Sequence, residues 1–169
     1  MTETTRADLD EKDLELLRSI ETDFDVSLGT LSDELGLSKS AIHYRLNKLK
    51  EKEVVTGITA DLDPVLLGLD MVAITEVSVT HEQGYSEDIG TELAALDWVE
   101  QVYYTMGDVD FVVVSRVQNR TQMNDVIEEM VAIDGVNETS SRFVMSELKS
   151  NPRTLANVSA DLDAAFLDE

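Results

Sequence analysis

The chain has 169 residues, a size that fits one medium domain or two small ones and excludes a large multidomain enzyme. It holds 35 Asp and Glu against 13 Lys and Arg, and the net charge of −22 excludes a surface that is basic throughout and binds nucleic acid or anionic membranes non-specifically. Apolar residues make up 43% of the sequence, so the acidity does not indicate a disordered chain.

The residue types for metal and covalent chemistry are scarce. The chain has no Cys, and His43 and His81 are its two histidines, so we expect no disulfide, no metal site, no cofactor and no catalytic residues. The amino-terminal residues show neither a signal-peptide pattern nor the roughly 20 apolar residues that span a bilayer, which predicts a cytoplasmic protein. The acidity is typical of proteins from salt-loving organisms, with an ordinary acidic mesophilic protein as the alternative.

Basic residues are concentrated in one segment of this acidic chain. No carboxylate occurs between Glu34 and Glu51. Five of the 13 basic side chains lie within 14 residues, namely Lys39, Arg45, Lys48, Lys50 and Lys52. This local charge indicates a partner that differs from that of the remaining, acidic sequence.

Apolar spacing and capping residues predict three helices in the first half. The first covers roughly residues 10–22 and begins at Asp10, a good N-cap. Ser27 caps a second, short helix, and Gly36 supplies a left-handed turn before Ser38 caps the third. In the third helix Ile42, Leu46 and Leu49 share one buried face.

The opposite face of the third helix carries polar and cationic side chains, with Arg45 at its margin. A helix of about 15 residues with such a face fits the major groove of DNA. A merely solvated face is the alternative, and Tyr44 fits partial burial and a phosphate contact equally well. The predicted DNA-binding residues are Lys39, Ser40, His43, Tyr44, Arg45, Asn47 and Lys48.

The pattern of residues 54–60 predicts two short strands on either side of Thr56 and Gly57. They would form the wing that commonly follows such a helix. Asp63 and Pro64 form an N-cap and N1 pair that opens the connection to the second half. The predicted organisation is a DNA-binding domain over residues 1–60 and a linker over 61–70.

From residue 71 the apolar period changes from 3.6 to 2, and the elements follow the order βαββαβ. This order predicts a ferredoxin-like domain over residues 71–149, in an α+β protein. The first helix is defined by Ile89, Leu93 and Leu96, and the second by Met123, Val126, Ile127, Met130 and Val131. Residues 150–169 form an acidic tail, which is either a helix docked on the DNA-binding domain or a partner, or a solvated segment.

Several strands carry apolar residues on both faces, as in the run Val112, Val113 and Val114. Covering the second face with another copy would remove apolar surface from water, so we expect a homodimer through the sheet. Two recognition helices about 34 Å apart would then meet successive major-groove turns of a palindromic site.

The first half contains GLSKSAIHYRLNKLKEKEVVTGITADLDP, and the second contains GDVDFVVVSRV and IDGVNETSSRFVMSELK. These segments, in this order along the chain, resemble the Lrp/AsnC family of transcription regulators. The resemblance covers roughly residues 10–149. It implies a DNA-binding regulator, a dimer that assembles further to a tetramer or octamer, and control by an amino acid or a similar small metabolite.

The family's effector site lies between dimers, near the hairpin turn that reads GDVD here. A turn glycine lets a ligand approach backbone amides, and a carboxylate such as Asp110 can pair with an α-ammonium group. A turn without ligand is the alternative reading. The effector-binding residues that the resemblance implies are Tyr104, Thr105, Met106, Gly107, Asp108, Asp110, Thr139 and Ser141.

An enzyme is the alternative from another class, because siroheme decarboxylases resemble the same two-domain chain. Their tetrapyrrole substrate carries several carboxylates, which the acidic second half would repel. The sequence therefore favours a regulator over an enzyme.

Overall fold

The computed structural model describes residues 7–23, 25–57, 59–80, 85–150 and 153–167. Two compact units divide the chain: Met1–Ala60 together with Lys149–Glu169, and Asp61–Leu148. Within the described ranges, every helix is too short or too polar to cross a lipid bilayer.

The first unit contains the three predicted helices, α1 (Glu11–Thr22), α2 (Leu28–Leu35) and α3 (Lys39–Glu51). Asp10 and Asp13 form a reciprocal capping box at the start of α1. Ser27 accepts a hydrogen bond from the Thr30 N–H, and Ser38 accepts one from the Ala41 N–H. Gly36 ends α2 with φ of 65°, the left-handed conformation that the sequence predicts.

The three helices pack around an apolar core. Leu16 and Ile42 are completely buried, and Leu49 is 2% exposed. Leu46 is partly buried against the same cluster, so the predicted inner face of α3 is confirmed. This packing leaves the opposite face of α3 toward solvent.

The prediction of two wing strands is wrong for the described residues of 54–60. The N–H groups of Val54 and Val55 donate to the carbonyl oxygen of Leu49, at 2.9 and 3.3 Å, and so close the carboxyl end of α3. Both valines pack against the core of the first unit. Because their backbone donors serve the helix end, they do not enter a strand ladder; Ile58 lies outside the described residues.

The carboxyl-terminal segment packs in the first unit as two short 3-10 helices, Leu155–Asn157 and Ala160–Ala165. Leu155 is 8% exposed and belongs to the core, and Phe166 packs against it. Arg18 of α1 donates to the carbonyl oxygens of Leu155 and Val158, at 2.7 and 3.0 Å, and also pairs with Asp163. The segment is therefore part of the packed structure of this unit.

Glu21, near the end of α1, also binds the carboxyl-terminal segment. Its carboxylate accepts hydrogen bonds from the N–H groups of Thr154 and Ala156, the latter at 2.9 Å. It therefore satisfies backbone donors at the start of the first 3-10 helix. Arg18 and Glu21 together bind the backbone of the segment from two sides.

Residues 61–70, the predicted linker, belong to the second unit. Asp63 accepts hydrogen bonds from the N–H groups of Val65 and Leu66, as a capping side chain does, but the residues after it form a turn and not a helix. The Leu69 N–H donates to the Pro64 carbonyl oxygen at 2.8 Å and closes a turn. These contacts order the segment locally.

The second unit follows the predicted order: β1 (Met71–Val79), α4 (Tyr85–Ala95), β2 (Val99–Tyr104), β3 (Phe111–Val117), α5 (Arg120–Ala132) and β4 (Val136–Phe143). The strands form an antiparallel sheet in the order β2-β3-β1-β4. This arrangement confirms the ferredoxin-like fold. The pattern VNETSSRFVMSEL predicts a last strand that runs to Leu148, whereas β4 ends at Phe143.

One face of the sheet is covered by α4 and α5. Ala73, Val77, Phe111 and Val113 meet buried residues of these helices in a single core. The core residues from the helices are Ile89, Leu93, Met123, Val126 and Met130, all predicted, with Leu96 and Ile127 partly buried. Val131 lies in α5 as predicted, but it is 54% exposed and stays outside this core.

The other face of the sheet mixes apolar side chains with paired charges. Ile74 is 38% exposed and Tyr103 52%. Arg142 pairs with Glu76 at 2.5 and 3.2 Å, and this hydrogen bonding holds the pKa of Glu76 below its ordinary value. Arg116 is also paired, with Glu100 at 2.7 Å and Glu147 at 2.8 Å.

Candidate DNA-binding and effector sites

The outer face of α3 presents the side chains that the sequence predicts for DNA contact. Tyr44 is 68% exposed, so it lies at the surface, as a phosphate contact requires, and is not partly buried. The other exposed members of the predicted set are Lys39, Ser40, His43, Asn47 and Lys48. This surface therefore combines amide, hydroxyl, imidazole and ammonium groups on one helix.

Arg45 differs from the other predicted residues. Its Nη1 atom lies 2.6 Å from Asp10 Oδ2 and 2.6 Å from Asp13 Oδ1. The hydrogen bonds to Asp10 and then Asp13 raise the pKa of Arg45 above its ordinary value. Arg45 therefore joins α3 to the start of α1, a role within the protein that the sequence pattern does not predict.

The contact with Arg45 also changes the pKa of Asp10, the residue that caps α1. Partial burial by itself would raise the pKa of Asp10, but hydrogen bonds from Arg45 and from the Asp13 N–H outweigh it. The pKa of Asp10 consequently lies below its ordinary value. The sequence identifies Asp10 as a helix cap, and the tertiary structure adds its role as the partner of an arginine 35 residues later.

Two residues of the outer face are joined to each other. The Nδ2 atom of Asn47 lies 3.2 Å from Nδ1 of His43, one helical turn earlier. Lys52, at the end of α3, instead donates to the backbone oxygen of Asp8 at 2.7 Å. The predicted contact residues on the exposed face lie within residues 39–48 of α3.

An exposed helix face of this composition can bind the major groove. Amide and hydroxyl groups can hydrogen-bond base edges, while ammonium groups contact phosphate oxygens. Because α3 is held by a buried apolar face and by the Arg45 ion pairs, its outer side chains project from a rigid support.

The candidate effector residues begin in the turn between β2 and β3. Thr105 closes this turn, because its N–H donates to the Asp110 carbonyl oxygen at 2.8 Å and its hydroxyl donates to that of Val109. Gly107 has φ of 154°, and Met106 and Asp108 are exposed beside it. The backbone at the tip is therefore accessible from outside.

Asp110 has a different environment from that expected of an ammonium ligand. Its Oδ2 atom accepts a hydrogen bond from the Val79 N–H at 2.8 Å, and its own N–H donates to the Val77 carbonyl oxygen at 3.2 Å. The register of β1 and β4 shifts between Ser78 and Val79. Asp110 thus binds the turn to the irregular end of β1, a role within the protein that the sequence pattern does not predict.

Thr139 and Ser141 lie on β4, at the opposite edge of the sheet from Tyr104. Tyr104 pairs with Phe111, Phe111 with Val77, and Val77 with Thr139. Two strands therefore separate Tyr104 from Thr139, roughly 14 Å at about 4.8 Å per strand spacing. One chain does not bring the eight predicted residues into a single pocket.

Ser141 makes a contact within the sheet: its hydroxyl lies 2.9 Å from that of Thr75, a completely buried residue. Tyr104 lines a groove of about 550 Å³ together with Glu87, Gly90, Thr91 and Ala94 of α4. The sequence pattern does not identify these α4 residues, because it indicates only the buried face of the helix. Among the described residues, no cluster of three or more His, Asp or Glu could hold a metal ion.

Comparison with known proteins gives matches over both units. The profile of a winged helix-turn-helix DNA-binding domain matches residues 9–56, and that of an Lrp/AsnC ligand binding domain matches residues 72–154. HTH-type transcriptional regulator FL11 of Pyrococcus horikoshii is 33% identical over 144 residues, 85% of this chain and 94% of that protein. Leucine-responsive regulatory protein of Escherichia coli is 26% identical, over 86% of this chain and 90% of that protein.

Solved structures show the same fold. An AsnC family transcriptional regulator from Agrobacterium tumefaciens has a TM-score of 0.81 at 22% identity and covers 92% of this chain and 99% of its own. A transcriptional regulator of Neisseria meningitidis, in complex with L-methionine, has a TM-score of 0.80 at 22% identity and covers 86% and 96%. The curated relatives named above are regulators, so the decarboxylase-like alternative is not supported.

Proposed function

Because the chain belongs to the Lrp/AsnC family of DNA-binding transcription regulators, we propose that α3 is its recognition helix. The observation that carries this proposal is the outer face of α3, where every predicted contact residue except Arg45 is exposed. This face is also the part of an acidic chain from which carboxylates are absent. A cytoplasmic location, which the sequence predicts, is compatible with this role.

The side chains of this face divide by chemistry. Lys39 and Lys48 carry the positive charge and contact phosphates, which hold the helix on any duplex. Asn47 and Ser40 have directional hydrogen-bonding groups and read base edges. His43 and Tyr44 complete the contact surface, and Arg45 supports the helix from behind through Asp10 and Asp13.

A homodimer through the open face of the sheet fits the side chains there. Ile74, Tyr103 and the half-buried Val112 and Val114 present apolar surface that a second copy would remove from water. Two arginines on this face already have partners within the chain: Arg142 pairs with Glu76, and Arg116 pairs with Glu100 and Glu147. A dimer of this kind presents two α3 helices to one palindromic site, and dimers assemble further to tetramers or octamers.

An amino acid is the proposed effector, since a structural relative was solved with L-methionine and the second unit matches a ligand binding domain. The accessible backbone near Gly107 can take the carboxylate of such a ligand. Thr139 and Ser141 lie at the other sheet edge, so they would join the turn through a neighbouring copy. This arrangement fits a site that is completed between dimers.

Selection of bound duplexes from a random pool tests the DNA-binding proposal. We expect pseudo-palindromic sites with half-sites about 10 base pairs apart, each site bound by two chains. Asn47→Ala or Ser40→Ala should lower affinity for the selected site about 10-fold, because each loses a base contact of roughly 1–3 kcal/mol. Affinity for a scrambled duplex should stay the same in gel-shift titrations. Equal affinities of both variants and the unchanged protein would contradict the assignment.

Thermal unfolding in the presence of each amino acid tests the effector proposal. A ligand at 100 times its Kd stabilises the folded protein by about 2.7 kcal/mol, so an effector should raise the Tm. Gly107→Ala should abolish this rise. The Cβ that alanine adds would lie in the open space through which the ligand approaches the backbone. Gly68→Ala is the control, since Gly68 also has positive φ, of 78°, but lies in another turn. A ligand-induced rise in Tm that survives Gly107→Ala would exclude this turn as the site.

A further inference from the structure

The side chains of His43 and Asn47 contact each other on the outer face of α3. Both side chains are exposed and lie four residues apart on one helix, where side chains are neighbours. Their Nδ1 and Nδ2 atoms are 3.2 Å apart, within hydrogen-bonding distance. Because both belong to the face proposed to meet DNA, their joint geometry bears on base recognition.

An isolated asparagine can present its amide in two orientations. Its oxygen only accepts hydrogen bonds and its NH₂ group only donates them, so rotation by 180° exchanges the two along a base edge. A neighbour that can only accept removes this ambiguity. Neutral His43 with its proton on Nε2 is such a neighbour, since Nδ1 then accepts from an Asn47 N–H.

The groups left on Asn47 match one base. After donating one N–H to His43, Asn47 retains a second N–H and the oxygen Oδ1. Adenine offers N7 as an acceptor and the N6 amino group as a donor in the major groove, the complement of this pair. Guanine offers two acceptors, N7 and O6, and would leave Oδ1 without a donor.

We propose that His43 is a positioning residue, which orients the amide of Asn47 so that Asn47 selects adenine. This inference rests on the proposed role of α3 as the recognition helix. His43 acts through Asn47, and its own contact to DNA is not required.

The test is a double-mutant cycle read out as base discrimination. We measure the ratio of affinities for duplexes with A·T or G·C at the position where Asn47→Ala reduces selectivity. His43→Leu should lower this ratio about 5-fold, because leucine offers no acceptor. His43→Asn should retain most of it, since its Oδ1 atom occupies a position similar to that of Nδ1. In the Asn47→Ala background, His43→Leu should not change the ratio.

The outcomes separate this inference from the proposed function. An unchanged ratio in His43→Leu overturns the positioning role while leaving Asn47 as a base reader. An equal loss on all duplexes also overturns it and assigns His43 to a phosphate contact. If Asn47→Ala itself keeps full selectivity at every position, both the base-reading role of Asn47 and the inference fail.

Discussion

Replacing Lys39 and Lys48 together by alanine is expected to weaken binding to every duplex roughly 60-fold at about 0.1 M salt. Each phosphate contact contributes about 0.9 to the slope of log K against log salt concentration through counterion release. Two lost contacts therefore lower the slope by about 1.8, and the effect should vanish near 1 M salt. Fluorescence anisotropy titrations of cognate and scrambled duplexes over a range of salt concentrations measure both quantities.

The matched control removes two lysines from elsewhere in the first unit. Lys12 of α1 pairs with Glu15 at 2.6 Å, and Lys149 is exposed outside α3. Lys12→Ala combined with Lys149→Ala changes the net charge equally but should leave the salt slope within error. Equal slopes for the two double variants would show that the protein's total charge, and not the surface of α3, sets its affinity.

Ending the chain after Ser150 is expected to destabilise the first unit by about 3 kcal/mol. The truncation removes Leu155 from the core, and loss of a buried leucine costs about 2–5 kcal/mol. Amide hydrogen exchange in α1–α3 should accelerate by roughly 100-fold, while exchange in β1–β4 should not change. DNA binding should weaken in parallel at temperatures where the first unit is partly unfolded.

A substitution within the same segment provides the control. Leu155→Ala should reproduce most of the destabilisation, whereas Leu162→Ala should change stability by less than about 0.5 kcal/mol, because Leu162 is 57% exposed. If the truncated chain exchanges its α1 amides at the original rate, the segment does not support the helix.

The two matched domain profiles end at residue 56 and residue 154, before the buried part of this segment. The profile matches therefore do not include Leu155 or the second 3-10 helix. Arg18 and Glu21 hold the segment mainly through backbone atoms of residues 154–158. Backbone contacts of this kind leave little signal in the side-chain pattern of a sequence.

Local sequence patterns predict most of the helices and strands and the general type of site. Asp10, Ser27 and Ser38 are caps whose partners lie three residues away, so local chemistry defines where the helices begin. Apolar periods of 3.6 and 2 distinguish helices from strands, and their order in the second half specifies the ferredoxin-like fold. The exposed face of α3 follows from the same periodicity, because one helix face must be buried.

Which polar side chains bond within the protein depends on the packing of distant elements. Arg45 bonds to Asp10 and Asp13, more than 30 residues earlier, and Asp110 bonds to the backbone of β1, 31 residues earlier. The predicted wing valines instead complete the end of α3. A long polar side chain has several acceptable partners, and which one it meets depends on how distant elements pack, a relation that periodicity and capping patterns do not contain.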